Sequence, residues 1–184
     1  MRYLVAIPVY NEAKSLIRVL RQVRQHAPDG EILVVDDGST DETLRLLRAE
    51  PGISVIRHID NRGYGQSLRD AFRFAISRDY DWLITMDCDE QHEPAWIPLF
   101  LDMARQDDAD IISGSRYLQS LPGNSKPPSD RRAIYQKMTD MLNEILGLRI
   151  TDAFCGFKAY RVSALAKLNI TVPGYAMPIQ FWVQ

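Results

Sequence analysis

The sequence has only two cysteines in 184 residues, Cys88 and Cys155. Two thiols do not make a disulfide framework, so a reducing compartment is expected. Both cysteines read as small buried residues. No apolar run reaches the ~18–20 residues that a transmembrane helix needs. Met1-Arg2-Tyr3-Leu4 runs straight into a strand-like segment. It lacks the apolar stretch and small-residue cleavage site of a secretory signal. No continuous basic stripe dominates the chain, which disfavours strong nucleic-acid binding. Two phosphate-loop signatures are missing as well. Gly-x-x-x-x-Gly-Lys-Ser/Thr does not occur, and Asn61-Arg62-Gly63-Tyr64-Gly65 is followed by Arg69-Asp70, with no third glycine to complete a dinucleotide fingerprint.

What is present belongs to a globular α/β protein. Hydrophobic residues make up 46% and charged residues 25%, which excludes a disordered chain. The length suits one domain, residues 1–184, that buries a core without disulfide or metal staples. The net charge of −2 hides an asymmetry. Residues 1–110 hold 13 Lys and Arg against 20 Asp and Glu, a net −7, and residues 111–184 hold 9 against 4, a net +5. Such a split suits two differently charged ligand surfaces, and equally suits ordinary solvated helix faces.

The first 115 residues alternate between strand and helix patterns. Strands are predicted at 3–8, 31–36, 53–58, 82–86 and 110–113, and helices at 12–26, 41–48, 65–78 and 94–105. Residues 32–35 are a continuous apolar run, as in a strand covered on both faces. Short links between alternating elements imply a mostly parallel sheet with helices on both sides. Residues 121–130 have loop composition. A helix is then predicted over 132–146, with Ile134, Met138, Met141, Leu142 and Ile145 as its apolar stripe and the methionines as core filler. A short helix is expected near 163–168, and a final segment starts at Gly174.

Ligands bind such sheets beyond the carboxyl ends of the strands, and the polar clusters sit there. Asp87-Cys88-Asp89 closes the fourth strand. Paired carboxylates at that place suit a hard divalent cation shared with phosphate oxygens. Gln91 adds a neutral oxygen ligand, and His92 reads as a hydrogen-bonding partner. As structure alone, Asp-x-Asp is a solvated turn. Asp36-Asp37-Gly38-Ser39-Thr40-Asp41 closes the second strand. Helix capping accounts for Ser39, Thr40 and Asp41. It does not account for two adjacent acids ending a buried strand, and a carboxylate there accepts from a base N–H or a ribose hydroxyl. Pro8-Val9-Tyr10-Asn11-Glu12 closes the first strand, with Tyr10 as an aromatic plane and Glu12 as a ribose partner. The glycines at 63 and 65 let backbone approach a ligand or open the next helix.

These junctions, in this order, resemble the family 2 glycosyltransferases. The matching stretches are Ile7-Pro8-Val9-Tyr10-Asn11-Glu12, Val35-Asp36-Asp37-Gly38-Ser39-Thr40-Asp41, Asn61-Arg62-Gly63-Tyr64-Gly65, Met86-Asp87-Cys88-Asp89-Glu90-Gln91-His92 and Gly114-Ser115-Arg116. The resemblance covers nearly the whole chain. It implies a GT-A fold, a Rossmann-like three-layer α/β sandwich with a mostly parallel central sheet. It also implies a nucleotide-diphosphate sugar donor and a Mg²⁺ or Mn²⁺ ion held by Asp87, Asp89 and Gln91. Pro8, Tyr10, Glu12, Asp36, Asp37, Gly65 and Asp87 would line the donor side within residues 1–115.

Residues 116–184 resemble the acceptor half of the dolichyl- or polyprenyl-phosphate sugar synthases, through Arg116, Arg131, Arg132, Gly156-Phe157-Lys158 and Arg161. That resemblance implies a polyprenyl phosphate acceptor met by Arg131, Arg132, Lys158 and Arg161, and a cytoplasmic enzyme working at the membrane face. Cys155 stands where the pattern usually has Ser or Thr, and Gln180 where an acid is common. The chain also looks short against that pattern, as if truncated on the acceptor side. Asp89 and Arg116 would act in transfer, with Asp152 as the fallback base, because it is the only acid after Glu144. A phosphate acceptor arrives ionised and needs no base, whereas a hydroxyl acceptor needs one. The alternatives are a hydroxyl-acceptor transferase of the same family, a sugar nucleotidyltransferase, which would need a Gly-rich loop after the first strand, and an inert nucleotide-sugar-binding module.

Overall fold

The structure, a computed structural model, describes residues 1–88, 94–118 and 129–184, apart from the side chains of residues 129–131. The apolar runs form β1 (Tyr3–Val9), β2 (Glu31–Asp36), β3 (Ser54–Arg57), β4 (Trp82–Thr85) and β5 (Ile111–Ser113). A sixth strand, β6 (Lys158–Arg161), follows the long helix. The helices are α1 (Leu16–His26), α2 (Thr43–Ala49), α3 (Tyr64–Ser77), α4 (Ile97–Arg105), α5 (Ser129–Leu146), α6 (Val162–Leu165) and α7 (Met177–Trp182).

The strand order is β3-β2-β1-β4-β6-β5. β1, β2, β3 and β4 pair in parallel, and β6 runs antiparallel to both β4 and β5. The sheet is thus mostly parallel, as the alternation predicts. Strand periodicity divides β1 cleanly. Val5, Ile7 and Val9 pack on one face with Leu16, Val19, Leu20 and Val23 of α1 and Ile97 and Phe100 of α4. Leu4 and Ala6 pack on the other with Leu68, Ala71, Phe72 and Ala75 of α3, Leu165 of α6 and Met177 and Phe181 of α7. Each buried Leu or Phe contributes roughly 1.5–3 kcal/mol, so a two-faced core of this kind holds the sheet between two helical layers.

The strand order reverses between β1 and β4: the chain leads outward from β1 through β2 and β3, and α3 returns it to β4 on the far side of β1. This is the switch point where such sheets open a crevice. Pro8 helps to open it. The β1–β4 pairing ends at Ala6 opposite Thr85, with Met86 N donating to Ala6 O at 3.2 Å. Backbone groups of alternate residues point to alternate neighbours, so the nitrogen of Pro8 lies on the β4 side, just past the last rung. A proline has no N–H to extend that ladder.

The long helix departs from its expected orientation. Its inward face is Tyr135, Thr139 and Leu142. Tyr135 stacks on Phe154 with ring centroids 4.7 Å apart, and Thr139 Oγ1 accepts from Ala153 N at 3.2 Å. Ile134, Met141 and Ile145 are exposed, Met141 by 50%. Met141 is therefore not core filler. The helix is turned by about one residue from its apolar stripe because a polar side chain, Thr139, satisfies the backbone of the facing loop. Both cysteines are buried, as expected, and are not joined in a disulfide. Among the described residues, no helix is long and apolar enough to cross a membrane.

Candidate functional site

The ends of β1 and β2 are tied together by Asn11. Its backbone lies in the left-handed region at φ 58°, which asparagine tolerates better than most residues. Asn11 Oδ1 accepts from Thr40 N at 2.8 Å and Asp41 N at 3.3 Å, and Asn11 N donates to Ser39 Oγ at 2.9 Å. Glu12 N donates to Thr43 Oγ1 at 2.9 Å. Ser39 and Thr40 therefore do not cap α2, contrary to the sequence reading, because the helix starts only at Thr43. Asp41 alone serves that end, accepting from Thr43 N at 2.9 Å. Tyr10 stands exposed beside this junction and Glu12 half-buried.

Asp36 and Asp37 are both buried but serve different ends. Asp37 is a clamp. It accepts from Arg62 N and Gly63 N, each at 2.8 Å, and meets His58 Nδ1 at 2.6 Å. His58 Nε2 in turn meets Asp70 of α3 at 3.0 Å. All Asp37 contacts are internal, so it shapes the 61–63 loop. Asp36 is different. Its Oδ1 accepts from Ser39 N at 2.9 Å. Its Oδ2 is buried without a hydrogen-bond partner among the described residues, with Arg57 Nε 3.8 Å away. A buried carboxylate oxygen left in this state carries a desolvation cost that a ligand donor would relieve.

Asp87 follows β4 on the other side of β1. Gly156 lies against it so closely that a Cβ there would fall 2.3 Å from Asp87 Oδ2. Burial first, and the nearby charge of Asp87 second, raise the Tyr64 phenol well above its usual range. The requirement for glycine at 65 has a different origin from the one expected. A Cβ there would meet Val172 O at 2.6 Å and Met177 Cβ at 2.8 Å, so Gly65 accommodates the chain's own later segment. Asp89 and Gln91, the other expected metal ligands, lie outside the described residues, and so does the side chain of Arg131.

The cations of the second half are mostly engaged internally. Arg116 holds Asp152 in a fork, Nε to Oδ2 at 2.7 Å and Nη2 to Oδ1 at 2.9 Å, and Arg116 N and Phe154 N donate to the same carboxylate. Burial alone would lower the Arg116 guanidinium, but the bonds and charge of Asp152 outweigh it and raise it further. Asp152, with four donors on it, is an anchor and does not suit the role of general base. Lys158 is buried; its Nζ donates to Cys155 O, and burial lowers its pKa. Arg161 is not at the site. Because β6 is antiparallel, Lys158 pairs with Thr85 while Arg161 pairs with Trp82, at the opposite end of β4. There Arg161 bridges Asp107 at 2.6 Å and Asp110 at 2.7 Å. Arg132 is exposed on α5, its guanidinium over the Tyr117 ring at 5.1 Å.

The site thus brings Pro8, Tyr10, Glu12, Asp36 and Asp87 to one end of the sheet, with Arg116 and Asp152 as a fixed pair in the second half. Sequence reading missed Asn11, His58 and Tyr64. For Tyr64 a signal existed, its place between two glycines at a helix start; for His58, none beyond its position at a strand end.

Comparisons with known proteins agree with this fold. The chain is 35% identical over 176 residues to an undecaprenyl-phosphate mannosyltransferase of Micrococcus luteus, covering 92% of this chain and 70% of that protein. It is 33% identical to a polyprenol monophosphomannose synthase of Mycolicibacterium smegmatis, covering 97% and 69%. Among solved structures, a glucosyl-3-phosphoglycerate synthase from Mycobacterium tuberculosis, in complex with Mn²⁺, UDP and phosphoglyceric acid, superposes with a TM-score of 0.71 at 21% identity, covering 97% of this chain. S. aureus TarS with UDP gives 0.66 at 22% identity, covering 94%. The chain spans 61% and 50% of those two solved chains, and at such identities they speak for the fold. The family model for glycosyl transferase family 2 matches residues 4–168, and this chain belongs to that family.

Proposed function

We propose that the chain moves a sugar from a nucleotide-diphosphate sugar to a polyprenyl phosphate, with inversion at the anomeric carbon. The observation that carries the donor side is the bracketing of β1 by two buried-end carboxylates: Asp36, with one oxygen unpartnered, at the end of β2, and Asp87 at the end of β4. In this reading Asp36 Oδ2 accepts an N–H of the base, the Tyr10 ring lies against the base, and Glu12 takes a ribose hydroxyl. The carboxylate of Asp87, with Asp89 and Gln91, forms the hard oxygen donor set that Mg²⁺ or Mn²⁺ prefers. A bound ion there would act as a Lewis acid on the leaving diphosphate. The similar fold solved with Mn²⁺ and UDP supports a divalent ion as the cofactor.

An oxygen of the acceptor phosphate attacks C1 in line, the C1–O bond to the diphosphate breaks, and the nucleoside diphosphate leaves with the electron pair. No proton needs to be removed from an ionised phosphate. The full engagement of Asp152 by four donors supports such an acceptor, since a hydroxyl acceptor then loses the fallback base that the sequence offered. The names of the two curated relatives point the same way. Arg131 and Arg132, at the start of α5, are the cations proposed to meet the phosphate, and Lys158 and Arg161 are withdrawn from that role. The transfer then takes place at the cytoplasmic face of a membrane. Residues 1–115 form the donor half of this scheme and residues 116–184 the acceptor half.

The test is calorimetry with UDP and GDP, with and without Mn²⁺, followed by transfer assays on polyprenyl phosphate and on sugar acceptors. Metal-dependent nucleotide binding and transfer to the lipid phosphate are expected, both abolished by Asp89→Ala. Transfer only to hydroxyl acceptors would replace the lipid reading, and undiminished turnover by Asp89→Ala would remove the metal assignment.

A further inference from the structure

We infer that His58 is a positioning residue for the nucleotide end of the sheet, held as an imidazolium between the carboxylates of Asp37 and Asp70. Its consequence for the nucleotide rests on the reading of Asp36 as the partner of the base. His58 follows β3, and its side chain is 4% exposed. Nδ1 lies 2.6 Å from Asp37 Oδ1, and Nε2 lies 3.0 Å from Asp70 Oδ2. Both carboxylates are already acceptors elsewhere. Asp37 takes Arg62 N and Gly63 N, and Asp70 takes Gln66 Nε2 at 2.8 Å and Arg73 Nη1 at 3.2 Å. An ionised carboxylate only accepts, and a neutral imidazole has only one N–H to give. Contacts to an acceptor on each side therefore call for a proton on each ring nitrogen. Imidazole is also the most basic of the three groups. The charges close locally, since the imidazolium and the Arg73 guanidinium balance Asp37 and Asp70. Arg57, next to His58 in the chain, reaches Asp36 instead, with Nε 3.8 Å from Oδ2. Without the ring proton, a nitrogen lone pair would face a carboxylate oxygen in the interior, a costly arrangement.

Three elements meet at this ring. Asp37 follows β2, Asp70 belongs to α3, and the ring itself follows β3. Both polar groups of the peptide joining Asp36 to Asp37 are bonded. Its oxygen accepts from His58 N at 2.8 Å, and its nitrogen donates to Val9 O at 2.9 Å. The Asp37 side chain then takes the His58 ring on one oxygen and the backbone of residues 62 and 63 on both. Residues 60 and 61 rest on Gly38, where a Cβ would fall 2.6 Å from Asp60 C. His58 thus holds the main chain from which Asp36 Oδ2 is aimed, through its own N–H, and the adjoining loop, through Asp37. Loss of the ring proton breaks one of the two side-chain contacts and frees β2 from α3 or from its loop.

The experiment follows the ring nitrogens of His58, one of three histidines, by NMR of the full chain across a pH series, with His58→Gln supplying the assignment. Calorimetry over the same series measures affinity for UDP and GDP. A ring protonated on both nitrogens shows two similar shifts, whereas a neutral ring shows one bare nitrogen far from its partner. The doubly protonated pattern is expected where nucleotide binds most tightly. As pH rises and the ring loses its proton, affinity should fall by about tenfold, the worth of one hydrogen bond to a charged group. Asp70→Asn takes away one charge that favours the cation, and should move both transitions to lower pH. His58→Gln removes the titrating group, so its profile keeps only the ligand's own ionisation. A bare ring nitrogen at the pH of tightest binding overturns the imidazolium. Parallel affinity profiles in wild type and His58→Gln overturn the positioning role. If neither UDP nor GDP binds the wild-type chain, the donor reading fails and the positioning role with it, while the ring spectrum still decides the charge state.

Discussion

The two ends of the sheet use the same charged residue types in opposite ways. At the amino end the charges meet in water. Arg2 bridges Glu31 at 2.8 Å with both side chains half exposed, and Arg161 bridges Asp107 and Asp110, which are 75% and 62% exposed. At the carboxyl end the charges are buried. Asp36, Asp37, His58, Asp152 and Lys158 are all nearly inaccessible, and each must find a partner within the protein or receive one from a ligand. A count of Lys, Arg, Asp and Glu along the chain cannot separate these two populations. Burial separates them, and the costly population marks the site.

Three substitutions probe that contrast. The largest effect is expected for Asp152→Ala, which leaves the Arg116 guanidinium, 15% exposed, without its fork. Breaking such a buried pair costs about 3–5 kcal/mol, and for a chain of this size that lowers the melting midpoint by on the order of 10 °C. A midpoint within a degree or two of wild type would place this pair with the solvated ones.

Next comes pH. Lys158 has its pKa lowered below the ordinary 10.5, by burial first, with nearby negative groups opposing. Between that lowered value and 10.5, the unfolded chain carries a proton that the folded chain does not. Stability should therefore rise with pH through that window, by at most about 1.4 kcal/mol per unit, and this contribution is lost as pH falls through the folded-state pKa. Lys158→Met should flatten that rise in denaturant midpoints measured across the window. Parallel profiles for the two proteins would count against it.

The smallest effect is expected for Arg161→Ala. Its partners are solvated and its own side chain is 26% exposed, so the loss should stay below about 1 kcal/mol. Transfer should be unchanged, since Arg161 sits at the far end of β6. A selective rise in KM for the acceptor would return it to the site.

Much of this was legible in the residues. Residues 32–35 read as a doubly covered strand because both faces meet helices, and the polar clusters fell at strand ends because apolar runs stop where the sheet stops. The fate of individual charges was not legible. Lys158 and Arg161 are three residues apart, and only the reversed direction of β6 sends them to opposite ends of the sheet. The rotation of α5 was equally hidden, since it depends on Thr139 meeting the backbone of Ala153. Asp36 and Asp37 look alike as a pair of letters, and they differ only because His58 and the 61–63 loop claim one of them.

The docking of residues 172–177 onto α3 also bears on how the molecule comes into being. Arg69 donates to Thr171 O across 102 residues of sequence, and closing so long a loop is slow and entropically costly. Chains fold as they are synthesised, earlier parts first. The strands that lead to Asp36 and Asp87 are thus synthesised well before residues 172–177, which dock onto the first turn of α3. A nascent chain would have those carboxylates at their strand ends while the first turn of α3 still lacks its cover, so this end of the sheet is finished only after residues 172–177 have emerged.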